Sequence, residues 1–277
     1  MSVASAAERL AAAGCVRAEE EAAILVAGSR TTADLAAMVA RREAGAPLEH
    51  IVGWADFRGL KLAVDDGVFI PRARSGLLVE EAASLVRCLA RAGREVVVVD
   101  LCCGIGAIGA ALAAESPGMR LHAVDVDPRA VACAERNLAA WGGRVHRGDL
   151  FDPLPRELRG RTDLVVSSPP YVPSDKIRLL PAEARDFESR IALDGGPDGL
   201  TLVERIARRA REWLVPGGRL ALEVSDLQVD NVAGMLEDLG YRSRAVTSDE
   251  DGGRGLYWEG PNGHWLEIIT RPYGSGG

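Results

Sequence analysis

Apolar positions in the first 46 residues recur at helical spacing, in alanine-rich segments at 5–13, 17–27 and 32–44. Gly14 and the Gly28-Ser29-Arg30 break separate them, and Thr32, ahead of Ala33 and Asp34, is the expected N-cap of the third. Helices this short predict a small bundle. From Pro47 onward, short β-like runs divided by Gly53, Gly59 and the Asp65-Asp66-Gly67 turn signal predict a hairpin-like linker. The pattern then changes to strands alternating with helices. Helices are expected at about 75–92, 105–114, 128–140, 198–214 and 227–239, with strands at 95–101, 121–126, 144–147, 163–168, 219–224, 242–247 and 264–270. Near-continuous valine in Val96-Val97-Val98-Val99 marks a strand buried on both faces, so the expected class is α/β, a parallel sheet covered by helices.

Composition narrows this only a little. The chain has 277 residues, 47% of them hydrophobic, enough for a substantial core, and a net charge of -7, which disfavours holding nucleic acid by bulk electrostatics. Five cysteines without C-x-x-C spacing read as reduced thiols, and no apolar run approaches the ~20 residues that span a bilayer. The expectation is a cytoplasmic protein, without membrane or metal, and monomeric.

The candidate chemistry begins at Gly104-Ile105-Gly106-Ala107-Ile108-Gly109, which follows the valine strand and opens a helix. Taken alone this G-x-G-x-x-G also fits a dinucleotide, with Asp125 as the ribose acid about 20 residues on. Three features favour S-adenosylmethionine. Asp100 ends the preceding strand, where a carboxylate repels a pyrophosphate and suits a cationic ligand. Asp149 ends the third strand, within reach of an adenine amine. Ser168-Pro169-Pro170-Tyr171 ends the fourth. All lie at the carboxyl ends of successive strands, where open α/β sheets bind ligands. Asp127, just before Pro128, reads as a helix cap rather than a ligand contact.

The chain resembles the HemK/PrmC-type protein N(5)-glutamine methyltransferases over about residues 5–247. The carrying stretches are Pro47 to Leu60, Val68-Phe69-Ile70-Pro71-Arg72, Asp100 to Gly109, Ser168 to Val172, Phe187 to Leu200 and Leu222-Glu223-Val224 through Gln228. The resemblance implies a seven-stranded Rossmann-like methyltransferase domain at 75–248, a helical substrate-recognition domain at 1–46, a linker at 47–74 and a divergent tail at 249–277. It implies S-adenosylmethionine as cofactor and, as partner, a release factor whose Gly-Gly-Gln loop carries the acceptor. The cofactor set is then Asp100, Cys102, Gly104, Ile105, Gly106, Asp125, Val126, Asp149, Leu150 and Ser168. Ser168, Pro169, Pro170 and Tyr171 form the catalytic turn, and Arg72, Ser168, Pro169, Tyr171 and Glu188 the acceptor site. The family's Asn-Pro-Pro-Tyr turn offers acceptors to both amide hydrogens and aims a poorly nucleophilic nitrogen at the methyl carbon, so catalysis is placement without a strong base. Consecutive prolines keep the turn extended and its carbonyls unclaimed.

Three departures stand out. Ser168 replaces the family Asn, offering a shorter group that also donates. Arg72-Ala73-Arg74-Ser75 stands where Arg-Pro-Glu-Thr is common, reversing a charge at Arg74. Cys102-Cys103 replaces Gly-Thr, where packing is the expected role rather than a catalytic thiol. Two alternatives stay open: amino-group methylation of nucleic acid, which requires a basic groove beside Pro169 and Tyr171, and non-catalytic cofactor binding. The tail from Gly255 to Thr270 resembles the closing strand of glyoxalase/vicinal-oxygen-chelate proteins, but His264 and Glu267 cannot form a metal site unaided. Trp265 to Ile269 is expected to be the last antiparallel strand of the sheet.

Overall fold

The N-terminal helices are held by local signals and by a shared apolar face. In a computed structural model, which describes residues 1–91 and 93–240 and the backbone of strands at 242–248, 254–259 and 265–270, they are α1 (Val3–Ala12), α2 (Ala18–Gly28) and α3 (Thr32–Glu43). The cap of α3 is Thr31, not the expected Thr32. Its extended backbone lets the hydroxyl accept the Asp34 N–H at 3.1 Å. Ala6, Leu10, Ala22, Leu25, Leu35 and Val39 close a core of their own, separate from the two that cover the main sheet. Each leucine there contributes roughly 1.5–3 kcal/mol of apolar burial.

The expected linker contains a helix as well as a hairpin. Leu48–Val52 forms α4, ended by left-handed Gly53, before β1 (Trp54–Phe57) pairs antiparallel with β2 (Leu60–Ala63). Asn137 anchors the hairpin. Its side chain accepts the Ala63 N–H at 2.7 Å and donates to the carbonyls of Ala63 and Ile105, each at 2.9 Å.

The rest alternates as the pattern predicts: α5 (Gly76–Arg91), β3 (Val97–Leu101), α6 (Ala107–Glu115), β4 (Arg120–Asp125), α7 (Pro128–Leu138), β5 (Arg144–Arg147) and β6 (Thr162–Ser167). They are followed by α8 (Ala182–Phe187), α9 (Thr201–Ala210), β7 (Leu214–Glu223) and α10 (Val229–Asp238). The last strands are β8 (Arg242–Ser248), β9 (Arg254–Glu259) and β10 (Trp265–Thr270). The order is β5-β4-β3-β6-β7-β10-β9-β8. Every residue of β3 is buried, as a central parallel strand requires. One core joins the α5, α6 and α7 side to the sheet through Leu78, Val98, Leu112 and Leu138; the other joins α9 and α10 through Val99, Val165, Ile206 and Leu236.

Several expectations change here. The sheet has eight strands rather than seven, and β10 runs parallel to β7; the antiparallel strand is β9, which pairs with β10 and β8. Gly255 to Thr270 thus contains two strands where one was expected, with the turn signal Gly260-Pro261-Asn262-Gly263 between them in sequence. His264 lies outside the described residues, and the side chain of Glu267 does too. Helix α9 starts at Thr201 instead of 198, because Asp198 accepts the Leu200 N–H at 2.9 Å and Gly199 is left-handed.

Candidate active site

The chain order reverses between β3 and β6, with β4 and β5 on one side and β7 on the other. At that switch point the loop after β3 and the turn after β6 lie side by side, and the Ser167 hydroxyl donates to the Leu101 carbonyl at 2.7 Å. A cavity of about 650 Å³ opens there. Cys102, Gly104, Asp125, Val126, Asp149 and Leu150 line it, together with Ser168 and Pro170. Three non-glycine residues among those described have positive φ, and two of them, Cys102 at 54° and Leu150 at 49°, face this cavity. Strain of about 1–3 kcal/mol at each position is retained where the chain must turn away from a ligand.

Asp125 ends β4 and organises the loop. One carboxylate oxygen accepts the Gly104 N–H at 2.8 Å and the other the Asp127 N–H at 2.9 Å. Burial pushes this carboxyl up, against the pull of the two N–H donors. Asp127 is the N-cap of α7, accepting from the Arg129 N–H at 2.9 Å. Asp100 sits beneath the loop rather than in the lining. It is fully buried, with one oxygen accepting the Gly109 N–H at 3.0 Å and the other without a partner. Burial raises its carboxyl to about 7. Burial also pushes both loop thiols, Cys102 and Cys103, up and away from thiolate character.

These residues fit S-adenosylmethionine. The size is that of a small-molecule site, one buried oxygen of Asp100 has no hydrogen-bond partner among the described residues, and a Cβ on Gly104 would meet nothing within 4 Å, so the loop has open space before it. Asp125 retains lone pairs for a ribose diol.

A second cavity, about 260 Å³, adjoins the first and shares Phe69, Ser168, Pro170 and Ala192 with it. Its remaining wall includes Arg72, Arg74, Pro169, Tyr171, Leu180 and Glu183. Backbone pairing from residues 193–199 holds the turn between the cavities. Val172 N–H donates to Leu193 at 3.2 Å and Gly195 N–H to Val172 at 2.9 Å. A Cβ on Gly195 would meet the Pro170 carbonyl at 2.7 Å, and one on left-handed Gly199 would collide with the Tyr171 carbonyl. Only glycine permits so close an approach.

Ile105 and Gly106, expected among the cofactor residues, line neither cavity. Ile105 is buried in the core, and Gly106 caps α6 in a left-handed conformation. Glu188, expected at the acceptor, is also withdrawn. Its side chain is 1% exposed, pairs with Arg72 at 2.7 Å and accepts the Ile70 N–H at 3.3 Å. Asp149 is half-exposed and paired with Arg205 at 2.5 Å. Phe69, Ser174, Arg190, Asp194, Thr201 and Arg205 also line the first cavity. Sequence reasoning singled out none of them, although Phe69, Arg190 and Asp194 fall inside the quoted stretches.

Two arginines flank the turn, yet both are paired with buried carboxylates, Arg72 with Glu188 and Arg74 with Glu223 at 3.1 Å, so they do not form the basic groove that nucleic acid requires. No helix among the described residues is long and apolar enough to cross a membrane, and among them no cluster of His, Cys, Asp or Glu gathers to hold a metal.

Residues 66–183 match the methyltransferase small domain family. The chain is 39% identical over 217 residues to the release factor glutamine methyltransferase of Geobacter sulfurreducens, covering 78% of this chain and 73% of that one. It is 40% identical over 213 residues to the enzyme of the same name from Streptomyces coelicolor, covering 76% and 75%. A 4-amino-L-phenylalanine/4-methylamino-L-phenylalanine methyltransferase of Streptomyces pristinaespiralis is 35% identical over 208 residues, covering 75% and 70%.

Proposed function

The chain belongs to the family of release factor glutamine methyltransferases, and we propose that it methylates the side-chain amide nitrogen of the glutamine in a release factor's Gly-Gly-Gln loop. The observation that carries this reading is the pair of adjoining cavities meeting at Ser168 and Pro170. One has the size and donor set for the cofactor, and the other is smaller, with three prolines and a tyrosine in its lining, which suits a planar amide.

Bound S-adenosylmethionine supplies an electrophilic methyl group on a positively charged sulfur. Asp125 would hold the ribose hydroxyls, and the backbone beside Cys102, Gly104, Val126 and Leu150 would shape the rest of the cofactor site. Asp100 contributes negative charge from below the loop. In the second cavity, the Ser168 hydroxyl and a proline carbonyl accept the two amide hydrogens, and Tyr171 packs on the amide plane. This holds the nitrogen lone pair toward the first cavity; such positioning alone is worth several powers of ten in rate. Transfer breaks the methyl–sulfur bond and forms the nitrogen–methyl bond, and the methylated nitrogen, now strongly acidic, loses its extra proton to water; no strong base is required, and the raised thiols of Cys102 and Cys103 are unsuited to act as one.

A second reading has specific support, an aromatic amine as acceptor. The relative from S. pristinaespiralis is named for one, and Ser168 leaves more room than the family Asn. The two readings separate in competition. With labelled cofactor, a Gly-Gly-Gln loop peptide is expected to take label, while its Gly-Gly-Glu counterpart and free 4-amino-L-phenylalanine are not. Preferential labelling of the free amino acid would transfer the chain to the second reading.

A further inference from the structure

Tyr171 is held at both ends by groups that do not line the cofactor cavity. Its carbonyl accepts from Gln228 Nε2 at 2.9 Å, and the same nitrogen donates to the Asp198 carbonyl at 3.1 Å. Gln228 is itself fixed, because its Oε1 accepts the Ser225 N–H at 3.1 Å in a capping box, and it is buried. Each polar atom of the amide therefore has an assigned partner, which neither a methionine nor a glutamate reproduces. At the other end, the Arg74 guanidinium donates to the Tyr171 hydroxyl and lies 5.5 Å from the ring centroid. Arg74 Nε in turn donates to Glu223 at 3.1 Å, and the second oxygen of Glu223 accepts the Ser75 hydroxyl at 2.7 Å. Glu223 is the last residue of β7, and Gln228 ends the 3-10 turn that follows. A single strand end thus reaches both the carbonyl and, through Arg74, the phenol of one tyrosine.

We propose that Gln228 and the Arg74–Glu223 pair are positioning residues for the methyl transfer, holding Tyr171 and hence the Ser168–Tyr171 turn in register with the acceptor. The proposal rests on the assignment of that turn to the acceptor. Prolines restrict the φ angles at 169 and 170, and the clamp holds the turn at Tyr171, the first residue after them. It also gives Arg74 a role inside the site. Glu223 balances the charge introduced at this position, and the guanidinium serves the tyrosine instead of an external partner.

The test compares full-length Gln228→Met, Arg74→Met, Arg74→Lys, Glu223→Gln and Tyr171→Phe. Gln228→Met and Arg74→Met are expected to lower kcat on the loop peptide by about ten- to a hundredfold, since small misplacement of reacting groups costs that much. Cofactor affinity by calorimetry should remain at the wild-type value, and Arg74→Lys should restore part of the rate. In the Tyr171→Phe background Arg74→Met should add no further loss. A full additional loss there, or a change in KM alone, overturns the positioning role of Arg74. An independent readout requires no acceptor. The chain has four tyrosines, and in fluorotyrosine-labelled protein the Tyr171 resonance, assigned by Tyr171→Phe, is expected to shift in Arg74→Met, Glu223→Gln and Gln228→Met. An unmoved resonance overturns the clamp even if the acceptor assignment holds. Shifted resonances in a protein that methylates no glutamine would leave the clamp standing and overturn the acceptor reading.

Discussion

Ser168 occupies the junction of the two cavities, and its hydroxyl is a shorter acceptor than the amide oxygen of the family Asn. Ser168→Asn is therefore expected to retain or raise methyl transfer to a loop peptide in a steady-state assay; a large loss would show that the site is built for a different acceptor. Asp125 holds two backbone N–H groups and faces the cavity, so Asp125→Asn should weaken cofactor binding by roughly ten- to a hundredfold in calorimetry, the scale of one charge-assisted hydrogen bond. Asp100 predicts a pH effect. Burial raises its carboxyl from 3.8 to about 7, so the fold favours the protonated form. Its contribution to stability is fully present below the unfolded value, declines as pH rises through that window, and is level above it. A cationic ligand favours the ionised form, so binding releases the proton and tightens from about pH 6 to about pH 8. The difference between wild type and Asp100→Asn in this slope isolates Asp100 from the ligand's own titration, and equal slopes would contradict the assignment. Asp125 and the Ser168 turn are conspicuous in the sequence because the first ends β4 and the second follows β6, each beside a turn signal. The burial of Glu188 against Arg72 has no such local signal, because the two lie far apart in the chain.

The elements around the turn show where pattern reading ends. Strand β3 and its glycine loop are local features, and valine periodicity with Gly104 and Gly106 was sufficient to find them. The segment from Ala182 to Leu200 carries little periodicity, and its role comes from distant partners: Val172 pairs with Leu193, and Tyr171 approaches Gly199. Arg205 reaching Asp149 likewise joins α9 to the end of β5, a contact no local window contains. Gly199→Ala places a Cβ against the Tyr171 carbonyl at a φ of 80°, so it is expected to destabilise by about 1–3 kcal/mol in denaturant unfolding and to depress kcat as well. A neutral substitution would mean that the run does not brace the turn. In the tail, β9 has no separate signature, because two short strands with turn residues between them in sequence resemble one motif.

At the scale of the whole molecule, the helical bundle is tied to the acceptor side rather than to the cofactor side. Phe187 of α8 packs against the bundle core, and Arg42 of α3 pairs with Glu21 and with Glu183, which lines the second cavity. Arg42→Met is accordingly expected to raise KM for an intact release factor by about two- to fivefold, the scale of a partly exposed ion pair, while leaving cofactor affinity unchanged; a reversed pattern would detach the bundle from substrate recognition. The N-terminal helices and the alternating strands and helices follow from spacing, whereas the bridge through Arg42 joins residues from three separate segments and leaves no trace in any one of them. The most direct test of the central claim is incubation of the full chain with labelled S-adenosylmethionine and the release factors of its own cell, followed by mass mapping of the modified residue. The prediction is one methyl group on the glutamine side chain of the Gly-Gly-Gln loop. Label on a lysine, on a nucleic-acid base, or absent from the release factor while cofactor is bound would contradict it.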